Sequence, residues 1–524
     1  VTPGFVDIHT HYDGQVTWEQ RLDPSTGHGV TTVVMGNCGI GFAPCKPADR
    51  DPLMKLMEGV EDLPEPVLAA GIPWAWESFP EYLDFLDRRS FDADICAQLP
   101  HAALRVHVMG ERAIAHEAAT AEDRAEMARL AAEAVEAGAL GFTTSRSINH
   151  KTRAGVPTPT LTAEEAELAE IARAIGATGK GVLQAISDFD DVEADLAMLR
   201  RVAEAGGRPL SISLMQWKHA PELWRQVLGW ASACAAHGLA VKAQVSGRPV
   251  GVMLGWELSF NPFSHTPTFL ALADRSPAER RAALADPAVR AAILAEAPAR
   301  ADMAIYLGDY ANIYALGDPP NYEPLPEDSI AGQAARAGVS PDALAYDALM
   351  ADDGRGLLMA PAVNYAYGSL DVCYEMLRHP HTVYGLGDGG AHLGFLCDAS
   401  IPTTMLAHWT RDRHRGPMIP LPEVVRGLTR DCAEAVGLAD RGLIAPGYKA
   451  DLNLIDFATV NLRGAEVRHD LPEGGRRLTQ DADGYVATIV SGVITRRNGA
   501  PTGALPGRLV RGGAFAPARV GEAA

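Results

Sequence analysis

The sequence predicts an α/β fold in which eight βα units close into a (β/α)8 TIM-type barrel, joined to a small, incomplete β-sandwich domain. Three observations predict it. Eight apolar, β-branched runs recur along the 524 residues with helical stretches between them, which is typical of parallel βα units. Polar residues cluster at the carboxyl ends of the runs, where such barrels place their active sites. The chain is also long enough for one large domain and a small one.

The eight runs are the predicted strands, and they cover residues 5–9, 31–38, 102–109, 139–145, 181–187, 210–216, 239–245 and 382–388. Two of the helices between them carry capping signals. One is predicted to begin at Thr120 and to end at Gly138, and the other to open on a capping box from Thr162 to Glu165. The apolar face of this second helix is predicted to contain Leu168, Ile171 and Ile175.

The barrel domain is predicted to span residues 1–420, with an insertion at about residues 255–349 that is too long for a loop between two strands. The insertion contains a helical stretch, residues 277–299. One interpretation is that the insertion covers or borders the site, and the alternative is that it is a solvent-exposed helical segment without a role at the site. Residues 421–524 are predicted to form a helix, residues 421–437, and then the β-sandwich segment, with a hairpin turn near Ser491. Because the chain opens at Val1 directly on a strand, we expect it to be a fragment whose missing N-terminal segment supplies the other half of the sandwich.

Charge and cysteine usage limit the classes of partner. The formal net charge is −20, from 46 Lys and Arg against 66 Asp and Glu, which argues against nucleic acid and against an anionic membrane surface. The sequence has neither an apolar run of about 18 residues nor a leader pattern. Seven scattered cysteines without a CxxC pair favour free thiols in a reducing cytoplasm. We therefore expect a cytoplasmic protein that acts on a small molecule.

The first predicted strand ends in His9-Thr10-His11. Side chains alternate along a strand, so the imidazoles of His9 and His11 leave the strand end in the same direction. Two neutral imidazoles side by side are the ligands that a divalent metal such as zinc prefers. The sequence therefore predicts a metal site at this strand end.

Asp388 stands at the end of the eighth predicted strand, in the segment Gly385-Leu386-Gly387-Asp388-Gly389-Gly390. A carboxylate at this end of a barrel can bind a metal and can accept a proton from a metal-bound water. The alternative is an ordinary turn aspartate before two glycines.

These features resemble the amidohydrolase superfamily. Residues 3–13 are similar to its first barrel strand, whose paired histidines bind the catalytic metal, and Asp388 matches its catalytic carboxylate. Four further segments resemble the N-acyl-D-amino-acid deacylase (D-aminoacylase) family, namely residues 27–32, 77–83, 447–456 and 499–507. The resemblance implies a zinc-dependent hydrolase that cleaves the amide of N-acylated D-amino acids. Cys38, after the second predicted strand, matches the cysteine that binds or bridges zinc in this family in place of a modified lysine.

The sequence departs from the family at the fifth and sixth strand ends. Histidines that hold the tighter zinc in the family are replaced by Gln184 and Gln216, and the seventh strand adds Gln244. An amide oxygen is a poor zinc ligand compared with imidazole. We therefore expect one tightly bound Zn²⁺, held by His9, His11, Cys38 and Asp388. The three glutamines are predicted to hydrogen-bond substrate, or else to satisfy backbone groups.

Further candidates for substrate binding are Arg146, Arg248 and His392, since an arginine can hold a carboxylate through two hydrogen bonds. The predicted reaction is hydrolysis of a C–N amide bond, with Asp388 as the catalytic base. One alternative is hydrolysis of a cyclic amide, as in hydantoinases and dihydroorotases. The other is a catalytically impaired barrel that serves as a binding or assembly protein.

Overall fold

The computed structural model describes residues 1–296 and 308–512. Its helices run over Arg50–Glu61, Glu65–Gly71, Phe79–Asp87, His101–Met109, Glu111–Ile114, Ala121–Ala137, Glu165–Ala177, Val192–Gly206, Leu223–Ala236, Pro267–Leu270, Pro277–Leu284, Pro287–Glu296, Ile330–Ala337, Pro341–Gly354, Asp371–Leu377, Ile401–Ala407, Leu421–Arg426 and Cys432–Ala435. Among these helices, none has the length and apolar character needed to cross a membrane.

The fold is mixed α/β, and two parallel sheets form its centre. The larger sheet has six strands in the order Thr382–Tyr384, Val241–Val245, Leu210–Ser213, Val182–Ser187, Gly141–Arg146 and Leu99–Pro100. The smaller sheet has three strands in the order Phe5–Asp7, Val30–Met35 and Asp94–Ala97. All neighbours in these two sheets pair in parallel.

Backbone hydrogen bonds connect the two parallel sheets at both ends of the strand order. The amide of Leu140 donates to the carbonyl of Ala97 at 2.8 Å, which joins the third and fourth strands. On the other side, the amide of Asp388 donates to the carbonyl of His9 at 2.9 Å, and the amide of His11 donates to that of Gly389 at 2.8 Å. The parallel sheets therefore have the arrangement that fits a barrel.

Seven of the predicted strands contain an observed strand, and the third is wrong. Residues 102–109 belong to the helix His101–Met109, and the strand lies just before it, at Asp94–Ala97 and Leu99–Pro100. The helix is buried on nearly all sides, and Arg105 within it is fully buried and ion-paired with Glu167. Residues 104–108 alternate between apolar and polar side chains, which is the pattern of a strand, so the sequence of this buried helix predicts a strand.

The first capped helix is confirmed and the second capping box is wrong. The Thr120 hydroxyl accepts from the amide of Asp123, and the helix ends at Gly138 with φ of +118°. The second helix, Glu165–Ala177, begins later than predicted, although its apolar face is buried as expected. Thr162 lies in a turn braced by Arg146, whose guanidinium donates to the carbonyl of Ala163 at 2.9 Å.

The insertion has its own core. The strand Val250–Leu254 pairs with Leu358–Val363, which also pairs with Tyr314–Ala315, and the helices between them pack around Trp256. The predicted helical stretch 277–299 is two helices, Pro277–Leu284 and Pro287–Glu296. Its last residues, 297–299, lie outside the described residues.

The C-terminal part contains a five-stranded antiparallel sheet in the order Thr2–Pro3, Leu452–Ile455, Tyr485–Val490, Val493–Arg497 and Ala500–Pro501. The hairpin turn near Ser491 is confirmed, since Val490 pairs with Val493. A second antiparallel pair joins Asn461–Arg468 to Arg477–Asp483. The predicted helix 421–437 consists of Leu421–Arg426, a π-turn and Cys432–Ala435.

A buried ion pair ties the insertion to the main core. Arg413 donates through Nε and Nη2 to the two carboxylate oxygens of Glu323, both at 3.1 Å, and His408 Nε2 lies 3.0 Å from the same carboxylate. Although burial opposes ionisation, these partners lower the pKa of Glu323 to about 2.

We expect Glu323→Gln to lower the free energy of unfolding by about 1–3 kcal/mol at pH 7, because the buried Arg413 then keeps only the more exposed Asp371 as a charge partner, at 2.7 Å. Because the pKa of Glu323 is lowered in the folded protein, this ion pair stabilises the fold fully at a pH above 4.5, the ordinary pKa of a glutamate. The stabilisation is lost as the pH falls toward 2. Urea unfolding of both proteins across pH 3–8 measures this. Glu327→Gln, at an exposed neighbouring position, is the control and should leave stability unchanged. An equal stability of Glu323→Gln and the parent protein at pH 7 would contradict the assignment.

Candidate metal centre

His9, His11 and Cys38 converge into one buried group. Their donor atoms all lie within 4.8 Å of one another, and the Nε2 atom of His9 is 3.3 Å from the Sγ atom of Cys38. The two histidines follow the strand Phe5–Asp7, and Cys38 follows Val30–Met35 on a turn where its own φ is +55°. The predicted convergence of these three side chains is therefore present in the structure.

Asp388 completes the group. Its Oδ1 atom lies 3.5 Å from Nε2 of His9 and 3.6 Å from Nε2 of His11. Its backbone has a φ of +48° and donates to the carbonyl of His9, so the loop directs the carboxylate over the strand end. Donor atoms roughly 3.3–3.7 Å apart are what tetrahedral zinc with bonds of about 2.0–2.3 Å requires, so the donor set fits this ion.

The ionisation of the donors favours a cation. Burial lowers the pKa of His9 to about 4, which keeps its imidazole neutral. Although burial opposes ionisation, the hydrogen bond from His11 and the charge of His11 hold the pKa of Asp388 well below its usual value. Burial raises the pKa of the Cys38 thiol to about 11, so a metal that binds here must displace the thiol proton.

Glu61 is a functional candidate that the sequence did not reveal. It ends the helix Arg50–Glu61, its side chain is 1 % exposed, and its Oε1 atom is 3.2 Å from Nδ1 of His11. Its Oε2 atom lies 3.5 Å from Nε2 of His392, so one carboxylate faces both rings. A carboxylate behind a metal-binding histidine fixes the tautomer and the orientation of the ring.

The helix that carries Glu61 reaches the site because Gly59 permits a close approach. A Cβ atom at Gly59 would clash with the carbonyl oxygen of Lys151, in the hairpin after the strand Gly141–Arg146. Arg153 of the same hairpin pairs with Asp62 at 3.0 Å. The sequence offers no periodic signal for Glu61, because its role depends on where the helix ends against this hairpin.

The three glutamines have different surroundings. Gln244 Oε1 lies 2.7 Å from Nδ1 of His9, which selects the tautomer whose Nε2 faces the other donors. Gln216 satisfies backbone groups, since it accepts from the amide of Ala366 at 3.1 Å and donates to the carbonyl of Pro221. Gln184 is buried, and neither of its amide atoms has a hydrogen-bond partner among the described residues.

His150 is a second candidate that the sequence analysis missed. It lies in the hairpin after the strand Gly141–Arg146, and its Nδ1 atom is 2.7 Å from the hydroxyl of Ser145. Burial is the largest cause that lowers its pKa to about 3. The imidazole is therefore neutral beside the metal centre. Its position after the fourth strand is the signal that could have identified it.

The two predicted arginines bind elsewhere. Arg146 donates to the backbone of the turn at Ala163. Arg248 is fully buried and pairs with Asp398 at 2.9 Å, and it also donates to Ser400 and to the carbonyl of Cys397. Both Nη groups of Arg248 are engaged in these bonds, so the geometry does not support a role for Arg248 in binding a substrate carboxylate. Among the described residues, Arg146 donates only through Nη1, and its role in substrate binding stays a prediction.

Comparisons with known proteins show the family and the fold of the chain. A family model described as amidohydrolase family matches residues 1–496. An N-acyl-D-glutamate deacylase of Alcaligenes xylosoxydans xylosoxydans is 26 % identical over 518 residues, covering 98 % of this chain and 86 % of the relative. The fold superposes on a D-aminoacylase structure with a TM-score of 0.61 at 23 % identity, covering 97 % of this chain and 88 % of that one. That enzyme has a binuclear metal centre, for which one-metal activation and second-metal attenuation are described. The N-acyl-D-glutamate deacylase of Bordetella bronchiseptica, complexed with zinc and a phosphonate inhibitor, gives 0.60 at 22 % identity with the same coverage.

We expect Glu61→Gln to weaken zinc binding by about 10–100-fold, the usual effect of removing the partner of a metal-binding histidine. Competition with a chromophoric chelator measures the zinc affinity. Asp51→Asn, at an exposed position of the same helix, is the control and should bind zinc as the parent protein does. If Glu61→Gln retained the parent affinity, His11 would not depend on this carboxylate.

Proposed function

Because the chain belongs to the amidohydrolase family and is a hydrolase of carbon–nitrogen bonds other than peptide bonds, we propose that it removes the acyl group of an N-acyl-D-amino acid in a zinc-dependent reaction. The observation that carries the proposal is the convergence of four donors, His9, His11, Cys38 and Asp388, at the strand ends. The relatives that act on N-acyl-D-glutamate and the D-aminoacylase structures support the substrate class.

We further propose that the two parallel sheets form one (β/α)8 barrel over residues 1–420, and that residues 421–524 contribute the β-sandwich segment. The hydrogen bonds between residues 9–11 and 388–389 support closure of the barrel. The insertion would then border the mouth, since Phe260 within it packs against Phe395, which follows the Asp388 loop.

The proposed zinc would be one ion held by His9, His11, Cys38 and Asp388. When bound, it would activate a water molecule and polarise the amide carbonyl. One-metal activation in the similar D-aminoacylase supports the proposal of a single ion. The zinc bound to the similar N-acyl-D-glutamate deacylase supports zinc as the metal. By the resemblance of the sequence to the family, Gln184 and Gln216 take the positions of the histidines that hold the tighter zinc, which is why we propose a single ion.

The side chains of the protein supply the proton transfers and the orientation. Asp388 accepts the proton of the attacking water, because its depressed pKa keeps it ionised, and then delivers the proton to the leaving nitrogen. Gln244 and Glu61 hold His9 and His11 in the tautomers that direct Nε2 inward. The neutral imidazole of His150 offers a hydrogen bond to the substrate at the mouth.

A hydrolysis screen of the zinc-loaded protein over matched N-acyl-D- and N-acyl-L-amino acids tests the proposed activity. We expect turnover with at least one D-substrate and a preference over its L-enantiomer of at least about tenfold, equal to 1.4 kcal/mol in the transition state. Product amine, measured by a fluorogenic reagent, reports the rate. Absence of turnover on every substrate by protein with bound zinc would refute the proposal.

The metal content is expected to be about one zinc per chain, because glutamine amides replace two imidazoles of the usual second site. We expect His9→Ala and His11→Ala to lose this zinc and the activity while the protein stays folded, since ligands at strand ends contribute more to the site than to the core. Elemental analysis measures the zinc content, and circular dichroism shows whether the variants are folded. Two stoichiometric zinc ions in the parent protein, or full turnover in either variant, would contradict the assignment.

Asp388→Asn keeps the size and one donor oxygen of the side chain but removes the base. We expect kcat to fall by about 10²–10⁴-fold, the usual contribution of general acid–base catalysis. KM should change much less, because the lost interaction belongs to the transition state. Zinc content is measured alongside the rates. A zinc-loaded variant with normal kcat would show that another group, such as His150 or His392, is the base.

A further inference from the structure

A cavity of about 420 Å³ lies outside the metal centre and is rich in arginine. It is bordered by the loop of residues 21–27, the antiparallel pair Asn461–Arg468 and Arg477–Asp483, and the turn of residues 496–501. Five guanidinium groups and three carboxylates line it, namely those of Arg21, Arg463, Arg468, Arg477 and Arg496, and those of Asp23, Asp470 and Asp481. Five positive against three negative groups give this wall an excess of two positive charges, in a chain whose formal net charge is −20.

Two of the lining arginines are buried and held in place by the fold. Arg477 donates through Nε and Nη2 to Asp470 at 2.9 and 2.7 Å, and through Nη1 to the carbonyl of Asp23 at 2.9 Å. Arg496 pairs with the carboxylate of Asp23 and donates to the carbonyl of Gly499 at 2.9 Å. Because Asp23 connects both guanidinium groups, their positions are fixed before any ligand binds, which lowers the entropic cost of binding.

The strand register concentrates positive charge on one face of the antiparallel pair. Arg468 is the direct cross-strand partner of Arg477. Side chains in such a pair lie on the same face with Cβ atoms about 4.5–5.5 Å apart, where like charges destabilise the sheet. Arg468 is held by Glu466 and Asp481, each at 2.7 Å. An anion bound in the cavity would reduce the remaining repulsion between the two arginines.

Three lining arginines keep donors that the fold does not use. Arg21 is exposed, and its guanidinium makes no hydrogen bond or ion pair with any described residue. Arg463 donates to Asp483 through Nε and Nη2, and Arg468 also donates only through Nε and Nη2, so within the described part of the chain the Nη1 group of each has no acceptor. A network of ion pairs that served the fold alone would need neither the unpaired guanidinium nor the open space.

The arrangement of these donors selects a phosphate group. Guanidinium groups bind carboxylate and phosphate oxygens through paired hydrogen bonds. The free donors belong to two separate segments around the cavity, the loop at Arg21 and the strand that carries Arg463 and Arg468. A monocarboxylate presents two oxygens in one plane, whereas a phosphate presents three acceptor oxygens in different directions and carries a charge of about −1.5 to −2. The volume lies within the range of about 300–1,000 Å³ typical of small-molecule sites, so the cavity has room for more than one phosphate group.

We propose that this cavity is a binding site for a small phosphate-bearing molecule. Arg21, Arg463 and Arg468 donate to the phosphate oxygens, and the buried Arg477 and Arg496 supply positive charge behind them. Glu466 and Asp483, which pair with Arg468 and Arg463, do not line the cavity and so leave its wall basic. The site is separate from the metal centre, so the inference does not depend on the proposed hydrolysis.

The test measures the binding of inorganic pyrophosphate by calorimetry, with malonate as the carboxylate probe. Because pyrophosphate also binds zinc, the measurements use both the parent protein and His11→Ala, which is expected to lack the metal. Arg21→Gln, made in both backgrounds, removes a guanidinium without breaking a bond within the described structure. The control is Arg173→Gln, on the helix Glu165–Ala177, because Arg173 is exposed and also makes no hydrogen bond or ion pair with a described residue.

We expect pyrophosphate to bind the parent protein and His11→Ala with a Kd of about 1 mM or below. Arg21→Gln should weaken this binding at least about fivefold in both backgrounds, because it removes hydrogen bonds to a charged group, and Arg173→Gln should leave it unchanged. Binding should weaken in 0.5 M sodium chloride, where the Debye length falls to about 4 Å. Malonate should bind at least about tenfold more weakly than pyrophosphate.

Three results would overturn the site. Equal pyrophosphate affinity in Arg21→Gln and its parent in both backgrounds would place the anion elsewhere, such as at the metal centre. Malonate that bound as tightly as pyrophosphate would show a surface without preference for phosphate. Absence of pyrophosphate binding would assign the arginines to the ion pairs of the fold only. None of these measurements uses turnover, so a failure of this site and a failure of the proposed function are distinguishable.

Discussion

Two backbone hydrogen bonds between the first strand end and the loop after the last central strand organise the whole site. The amide of Asp388 donates to the carbonyl of His9, and the amide of His11 donates to the carbonyl of Gly389. They bring residues nearly 400 positions apart into contact and place the Asp388 carboxylate about equally far from both imidazoles, at 3.5 and 3.6 Å. This close approach requires a positive φ at Asp388 and at Gly390, a backbone conformation that is strained at Asp388 and unstrained at a glycine.

The electrostatics of the centre favour a positive charge between the carboxylates of Glu61 and Asp388. Asp388 is held ionised, and the charges of Glu61 and Asp388 raise the pKa of His11 well above its ordinary value despite burial. A protonated His11 compensates these carboxylates when no metal is bound. In the proposed complex a zinc ion would replace that proton and the thiol proton of Cys38, so that binding would release protons and would become tighter as the pH rises.

The functional side chains at the strand ends could be predicted from the sequence, because side chains alternate between the two faces of a strand with a fixed period of two. That period places His9 and His11 together, and the glycine-rich segment after the eighth run identifies Asp388. Glu61 and His150 could not be found this way, because a helix end and a hairpin bring them to the centre. The buried helix His101–Met109 was not predicted, because apolar and polar side chains alternate over residues 104–108 as they do in a strand. Arg248 was taken for a substrate ligand because sequence does not reveal its ion pair with Asp398.

The central claim is that one thiolate, two imidazoles and one carboxylate hold a single zinc ion. Zinc K-edge X-ray absorption of the purified protein tests it most directly, because sulfur is distinguished from nitrogen and oxygen by distance. We expect one sulfur at about 2.3 Å and three nitrogen or oxygen neighbours at about 2.0–2.2 Å, with the sulfur shell absent in Cys38→Ser. A spectrum of the parent protein without a sulfur neighbour would contradict this coordination, since it would place the metal away from Cys38.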